Sequence, residues 1–326
     1  MKVAVITGSS ASGLACMGNL LMKTVSSSKT AGATDLIVRG CFRRQGRAAT
    51  ARSSLPIEAL EKRTTYEVRP YVDAADMDSL RKALEGVDRA MLVTPLDYRE
   101  GIAEDANKSI NMIQAAKEVG VKRIVHVGSW TVNVPDRLPI LASRFLPTEE
   151  YLKNEIGDEM EWTVLRGGYF MSNFSHIHAE SINTKHELLA VPDCTLPPVD
   201  TRDIGEAAAA LLGGDHDENY QQKYHRTFVE CCGPRVYNTH AEIAEEISAG
   251  VGRTISYPGS PALDKWANEN RDNAIMLELY KYLADENSPG EIPSNSDQFA
   301  AILGREPTTL QEWTEDHRVL LGGKGY

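Results

Sequence analysis

The chain begins Met1-Lys-Val-Ala-Val-Ile-Thr7-Gly8-Ser9-Ser10-Ala11-Ser12-Gly13, an apolar strand that runs into a turn of small residues and then into the helical pattern Leu14 to Val25. This order opens a dinucleotide-binding α/β fold. The small residues let backbone N–H groups approach a pyrophosphate, and the helix that follows points its positive end at it. Against the spacing G-x-G-x-x-G, Gly8 and Gly13 fill the first and third positions, and Ser10 stands where a glycine would let the backbone come closest. Serine narrows that approach without closing it.

The first half of the chain keeps alternating in the same way. Strands are predicted at Val3–Thr7, Asp35–Phe42, Tyr66–Val72, Arg89–Thr94, Arg123–Gly128 and Trp162–Arg166, with helices at Leu14–Val25, Met77–Leu84, Ala103–Val119 and Pro147–Ile156. Continuous apolar runs such as Ala90-Met-Leu-Val-Thr94 read as strands buried on both faces, as in a parallel sheet covered by helices. The expected fold class is therefore α/β, a doubly wound parallel (Rossmann) sheet with a smaller, mostly helical α+β C-terminal lobe. The boundary is expected near Arg166, giving residues 1–166 and 167–326, with the lobe interleaved with the sheet rather than set apart by a linker. Beyond it, helices are predicted at Asp203–Leu212, Thr239–Ala249, Pro261–Leu283, Asp297–Leu303 and Leu310–Leu320, a strand at Thr227–Cys232, and a loop at Glu286–Ser296.

Composition removes several function classes. A net charge of −11 over 326 residues argues against non-specific nucleic-acid binding, which needs Lys and Arg to neutralise phosphates. No apolar run reaches membrane-spanning length and the N-terminus is a strand rather than a signal core, so a cytoplasmic protein with no membrane partner is expected. The five cysteines (Cys16, Cys41, Cys194, Cys231, Cys232) have no paired metal-ligand spacing and read as reduced core thiols. His176-Ile-His178 lacks a third ligand at metal spacing, so no metal site is expected. The pairs Glu149-Glu150 and Glu245-Glu246 fall on predicted helices and read as solvated faces.

The second strand ends Val38-Arg39-Gly40-Cys41-Phe42-Arg43-Arg44. In dinucleotide folds this position lies by the adenosine ribose, where an acid accepts from a free 2′-hydroxyl and an arginine pairs with a 2′-phosphate. No acid stands here. Arg43, with Arg44 as the alternate, favours NADP(H) over NAD(H), unless Arg43, Arg44 and Arg47 form only a solvated basic loop.

Several further segments share one pattern: Val72-Asp73-Ala-Ala-Asp76, Leu92-Val-Thr94-Pro95, Ala115-Ala-Lys-Glu-Val-Gly120-Val-Lys-Arg-Ile-Val-His-Val-Gly-Ser129, Thr148-Glu-Glu-Tyr151, Trp162-Thr-Val-Leu-Arg166-Gly-Gly-Tyr-Phe170, Val199-Asp200-Thr-Arg-Asp203-Ile204-Gly205 and Leu303-Gly-Arg-Glu-Pro307. In order and spacing they resemble the NmrA-like group of atypical short-chain dehydrogenases. The resemblance implies that Thr7, Gly8, Ser10, Ala11, Ser12 and Gly13 hold a pyrophosphate and Arg43 a 2′-phosphate. It also places Asp73 and Ala74 by the adenine and Thr94 and Pro95 by the nicotinamide ribose. Relatives space the turn glycines three apart, and in that register Ala11 and Leu14 replace the second and third. The Tyr-x-x-x-Lys pair of ordinary short-chain dehydrogenases is missing after Ser129, and Ser143-Arg144-Phe145 stands where many relatives carry a lysine. Arg144 stays charged, so it could anchor a phosphate or carboxylate but not relay a proton.

Two functions follow from the resemblance. One is an NADP(H)-dependent reductase acting on a small carbonyl, imine or enone substrate under Tyr169, Phe170 and the C-terminal lobe. Its catalytic candidates are the hydroxyls of Tyr98 and Tyr169, with Ser129 and Thr131 orienting and Asp97 as a further acid. The other is a non-catalytic NADP(H) sensor that regulates a protein partner.

Overall fold

The computed structural model describes residues 1–27, 36–56, 66–95, 102–213, 222–285, 291–293 and 297–323. The chain divides into two compact units, one of residues 1–129, 143–166 and 202–229, the other of residues 130–142, 167–201 and 230–326. Residues 130–142 thus group with the second unit and residues 202–229 with the first, exchanges that a single boundary near Arg166 does not capture.

The first unit is built on a seven-stranded sheet. Its strands are β1 (Lys2–Ile6), β2 (Ile37–Phe42), β3 (Tyr66–Pro70), β4 (Arg89–Val93), β5 (Arg123–Ser129), β6 (Glu161–Gly167) and, after the short β7 (Tyr169–Phe170) and β8 (Pro198–Val199), β9 (Thr227–Cys231). The order is β3-β2-β1-β4-β5-β6-β9, and the pairs β1–β2, β1–β4, β2–β3 and β4–β5 are parallel. The fold class read from the sequence holds, a doubly wound sheet whose order reverses beside β1. Side chains alternate across the sheet: Ala4, Ile6, Ala90, Leu92 and Ile124 join one core cluster, while Val3, Val5, Met91 and Val125 are as fully buried on the other face.

The helices in chain order are α1 (Ala11–Ser27), α2 (Gln45–Ser53), α3 (Met77–Leu84), α4 (Ala103–Glu118), α5 (Pro139–Ala142), α6 (Leu146–Tyr151), α7 (Ser172–Ile177), α8 (Ala179–Lys185), α9 (Thr201–Leu212), α10 (His240–Val251), α11 (Leu263–Glu269), α12 (Ala274–Leu283), α13 (Asp297–Leu303) and α14 (Leu310–Asp316). Asp76 starts α3 by accepting from the amides of Asp78 and Ser79. Thr239 with Glu242, and Thr309 with Glu312, form capping boxes on α10 and α14. The single helix expected over Pro261–Leu283 is two, broken at Asn270–Asn273, where the Asn273 side chain caps α12.

The second unit has its own core, drawn from Tyr169, Phe174, Leu196, Ile243, Ile247, Trp266, Tyr280 and Trp313 among others, around the two-stranded parallel pair β7–β8. All five cysteines are buried, and none is in a disulfide.

Candidate functional site

The turn between β1 and α1 is shaped by Thr7, whose φ of 61° puts a β-branched residue in the left-handed region. Such strain persists only where the surroundings hold it. Here the Thr7 hydroxyl donates to the Val93 carbonyl (3.1 Å), its carbonyl accepts from Ser10 N (3.0 Å), and Gly8 N donates to the Cys41 carbonyl (3.0 Å). Ser10 turns its Oγ back to accept from Gly13 N at 3.0 Å, which caps the helix and folds the hydroxyl onto the helix's first turn. A Cβ on Gly13 would sit 2.8 Å from that Oγ, 3.0 Å from the Thr7 carbonyl and 3.2 Å from Gly8 Cα, so glycine keeps the turn tight. The structure therefore uses the register Gly8-x-Ser10-x-x-Gly13. Among the described residues, the amides of Ala11 and Ser12 find no acceptor in the protein. These are the donors that a helix N-terminus offers to an anion.

A second glycine supports this turn from behind. A Cβ on Gly205, in α9, would lie 2.3 Å from the Ser12 carbonyl and 2.6 Å from Ala15 Cβ, so α9 meets the first turn of α1 backbone to backbone. Sequence reading noted Gly205 only as part of a shared segment. Its signal was a glycine inside a helical pattern otherwise rich in alanine.

Beside the turn, β2 delivers Phe42 and then Arg43 and Arg44, both exposed, with α2 beginning at Gln45. Arg47 thus stands in a helix, while Arg43 and Arg44 lie in the exposed bend before it. On β3's end, the Asp73 carboxylate accepts from Ala75 N (3.0 Å), and the Ala74 carbonyl accepts from Asn111 Nδ2 (3.1 Å).

At the end of β4, Thr94 Oγ1 lies within hydrogen-bond distance of the Val127 carbonyl (3.2 Å), His126 Nε2 (3.3 Å) and Ser109 Oγ (3.2 Å). His126 is fully buried, which lowers its pKa to about 4 and keeps it neutral. Ser109 also donates to the Asp105 carbonyl (2.9 Å), and Asp105, 1 % exposed, accepts from Arg144 Nε at 2.8 Å. Arg144 is therefore tied through α4 to Thr94. Sequence reading missed Asp105, Ser109 and His126, because buried polar residues on an inward helix face and inside a strand break the apolar pattern it relies on. A second buried pair, Glu149 with Arg166 (Oε2–Nη2 2.6 Å, Oε1–Nε 2.9 Å), corrects the expectation of a solvated face at Glu149. The arginine reaches it from the neighbouring strand β6, and Glu150 is exposed as expected.

The proton-donor candidates fall in different places. Tyr98 and Asp97 lie outside the described residues. Ser129 closes β5 in the first unit, half-buried; Thr131 lies buried in a 3₁₀ turn of the second unit, and Pro95 follows Thr94. Tyr169 packs against Phe174 (5.5 Å between ring centroids) in the core of the second unit, and burial raises its hydroxyl pKa.

Residues 70–314 match the model of the NmrA-like family. The chain belongs to that family. It is 28% identical over 244 residues to an uncharacterized oxidoreductase, YesF, of Bacillus subtilis (strain 168), covering 73% of this chain and 77% of that one. Its fold is shared with the NADPH-dependent quinone oxidoreductase of Escherichia coli complexed with NADPH (TM-score 0.69, 20% identity, 96% and 99% of the two chains). It is shared equally with the Citrobacter sp. triphenylmethane reductase complexed with NADP(H) (TM-score 0.70, 19% identity, 98% and 100%). A nucleoside-diphosphate-sugar epimerase from Staphylococcus aureus has it too (TM-score 0.71, 16% identity, 97% and 100%).

Proposed function

We propose that this protein binds NADP(H) at the carboxyl ends of β1 to β4 and acts as an oxidoreductase on a small carbonyl, imine or enone substrate. One observation carries the reading: a strained turn with two unclaimed amides, Ala11 and Ser12, adjoins a strand end that offers Arg43 and Arg44 and no carboxylate. Ligands of open α/β sheets bind at this edge, where the strand order reverses. Thr7, Gly8 and Ser10 to Gly13 would hold the pyrophosphate and Arg43 the 2′-phosphate, with Arg44 as the alternate. Asp73 and Ala74 would lie by the adenine, and Thr94, Pro95 and Ser129 by the nicotinamide ribose.

When bound, the cofactor supplies a hydride to the substrate. The chain's own residues orient and protonate. Thr94 is fixed by Val127, His126 and Ser109, and Arg144, whose charge Asp105 already balances, braces that network instead of reaching for a phosphate. The Tyr98 hydroxyl is the preferred proton donor, with Ser129 and Thr131 orienting it. Tyr169 ranks below it, because a tyrosine whose pKa burial has raised holds its proton more tightly than a general acid should.

The second reading, an NADP(H)-binding regulator of a protein partner, draws on the missing Tyr-x-x-x-Lys pair. Following NADPH oxidation against a panel of quinones, enones, imines and carbonyls separates the two. Turnover with one class, cut about a hundredfold or more in Tyr98→Phe, is the expected result. Tight NADPH binding with no turnover on any class would favour the regulator.

A further inference from the structure

Tyr71 combines two features that oppose each other in an isolated fold. It is a bulky non-glycine residue at φ 63°, and its ring is 66% exposed, the most solvent-open tyrosine among the described residues' large apolar side chains. The strain is held from both sides: Pro70 pairs with Phe42 in the β2–β3 ladder, and Val72 N donates to the Phe42 carbonyl at 3.0 Å. The hydroxyl donates to Gln45 Oε1 at 2.9 Å, which tethers the ring beside the segment Arg43-Arg44-Gln45. Strained backbone of this kind clusters at ligand-binding sites. The ring stands one strand end away from the arginines.

Resting on the NADP(H) reading above, we infer that Tyr71 is the adenine platform of this protein: its ring stacks on the base while Arg43 and Arg44 take the 2′-phosphate of the same adenosine. Base–aromatic stacking needs only a flat, exposed π-face, and truncating such rings to alanine weakens binding about tenfold or more. Gln45 sets the ring's tilt through the hydroxyl, so most of the effect resides in the ring itself.

The test is calorimetric titration of the full chain with adenosine 2′,5′-bisphosphate, which carries the base and the 2′-phosphate but no nicotinamide, and with NADPH. Tyr71→Ala is expected to weaken both about tenfold, while Tyr71→Phe stays within about threefold of wild type. Tyr71→Gly relieves the left-handed strain, so it should melt no lower than wild type and yet bind as poorly as Tyr71→Ala. That separates a lost platform from a lost fold. Wild type binding both nucleotides with Tyr71→Ala unchanged would overturn the platform and leave the cofactor reading standing. Tyr71→Phe falling as far as Tyr71→Ala would overturn it as well, by moving the effect to the Gln45 tether. Wild type binding neither nucleotide would overturn the cofactor reading and the platform with it.

Discussion

The buried titratable groups of the two units are of different kinds. In the first unit buried charges are paired: Glu149 with Arg166, Asp105 with Arg144, Arg39 with Glu67 and Arg123 with Glu161. In the second, the buried histidines and tyrosines are held neutral by burial. His178 Nε2 makes no hydrogen bond among the described residues, His240 Nδ1 lies 3.5 Å from Asp193 Oδ1, and the hydroxyls of Tyr169 and Tyr280 interact with each other without a well-aligned hydrogen bond. They pack as rings instead: His178 and His240 lie 6.3 Å apart, and His240 stacks on Tyr257 at 5.4 Å and on Tyr280 at 6.4 Å. A charge network fixes geometry through direction, whereas an aromatic cluster fixes it through shape. The first suits a frame that must hold Thr94 and the β1 turn in place.

That comparison can be broken most sharply at Glu149. Glu149→Ala strands the Arg166 guanidinium in the interior and should cost about 3–5 kcal/mol in chemical denaturation. An effect below about 1 kcal/mol would mean that water reaches Arg166 and that the pair is not a buried one.

Acid should act on the second unit more than on the first. Burial lowers the pKa of His178 to about 3, and that of His240 is lowered by burial against an opposing pull from Asp193. In the unfolded chain both protonate near the ordinary value of 6.5. The unfolded state therefore binds more protons below that pH, and stability present above about 6.5 is lost as pH falls toward 3, at up to about 1.4 kcal/mol per pH unit for each group. In the first unit burial lowers the pKa of His126 to about 4 and lowers that of the half-buried His225. Hydrogen exchange between pH 7 and 5 should show protection falling faster in α10 and α12 than in β4 and β5. Equal losses would erase the contrast.

Gly205→Ala tests the backbone contact behind the turn. Overpacking there should cost about 1–3 kcal/mol and weaken NADPH binding by displacing α1, measured by melting and titration together. The smallest effect is expected at Tyr280. Its buried hydroxyl makes no well-aligned hydrogen bond and interacts only weakly with that of Tyr169, so Tyr280→Phe should leave the melting temperature within about 1 kcal/mol equivalent of wild type. A clear loss would reveal a partner for that hydroxyl.

The sheet was legible because its central strands β1 and β4 are apolar runs that fix the alternation: the strands predicted through Arg166 all exist, with ends within two residues. Helix α2 was not, because Gln45-Gly-Arg-Ala-Ala-Thr-Ala-Arg-Ser53 buries only Ala48 and Ala51 and so has no apolar stripe to read. At the candidate site, the β1 turn and the arginines that follow β2 could be placed from local spacing alone. The Asp105–Arg144 and Glu149–Arg166 pairs could not, since each joins residues brought together by the sheet rather than by the chain. Tyr71 was hidden for another reason, because a positive φ on a tyrosine leaves no mark in composition or period.

The most direct test of the account is the ratio of NADPH to NADH affinity, measured calorimetrically on cofactor-free wild type and on Arg43→Glu. A wild type that binds NADPH at least tenfold tighter than NADH, with that preference lost or reversed in Arg43→Glu while NADH binding changes little, is the predicted result. Equal losses for both nucleotides would remove Arg43 from the 2′-phosphate, and no binding of either to wild type would contradict the cofactor site altogether.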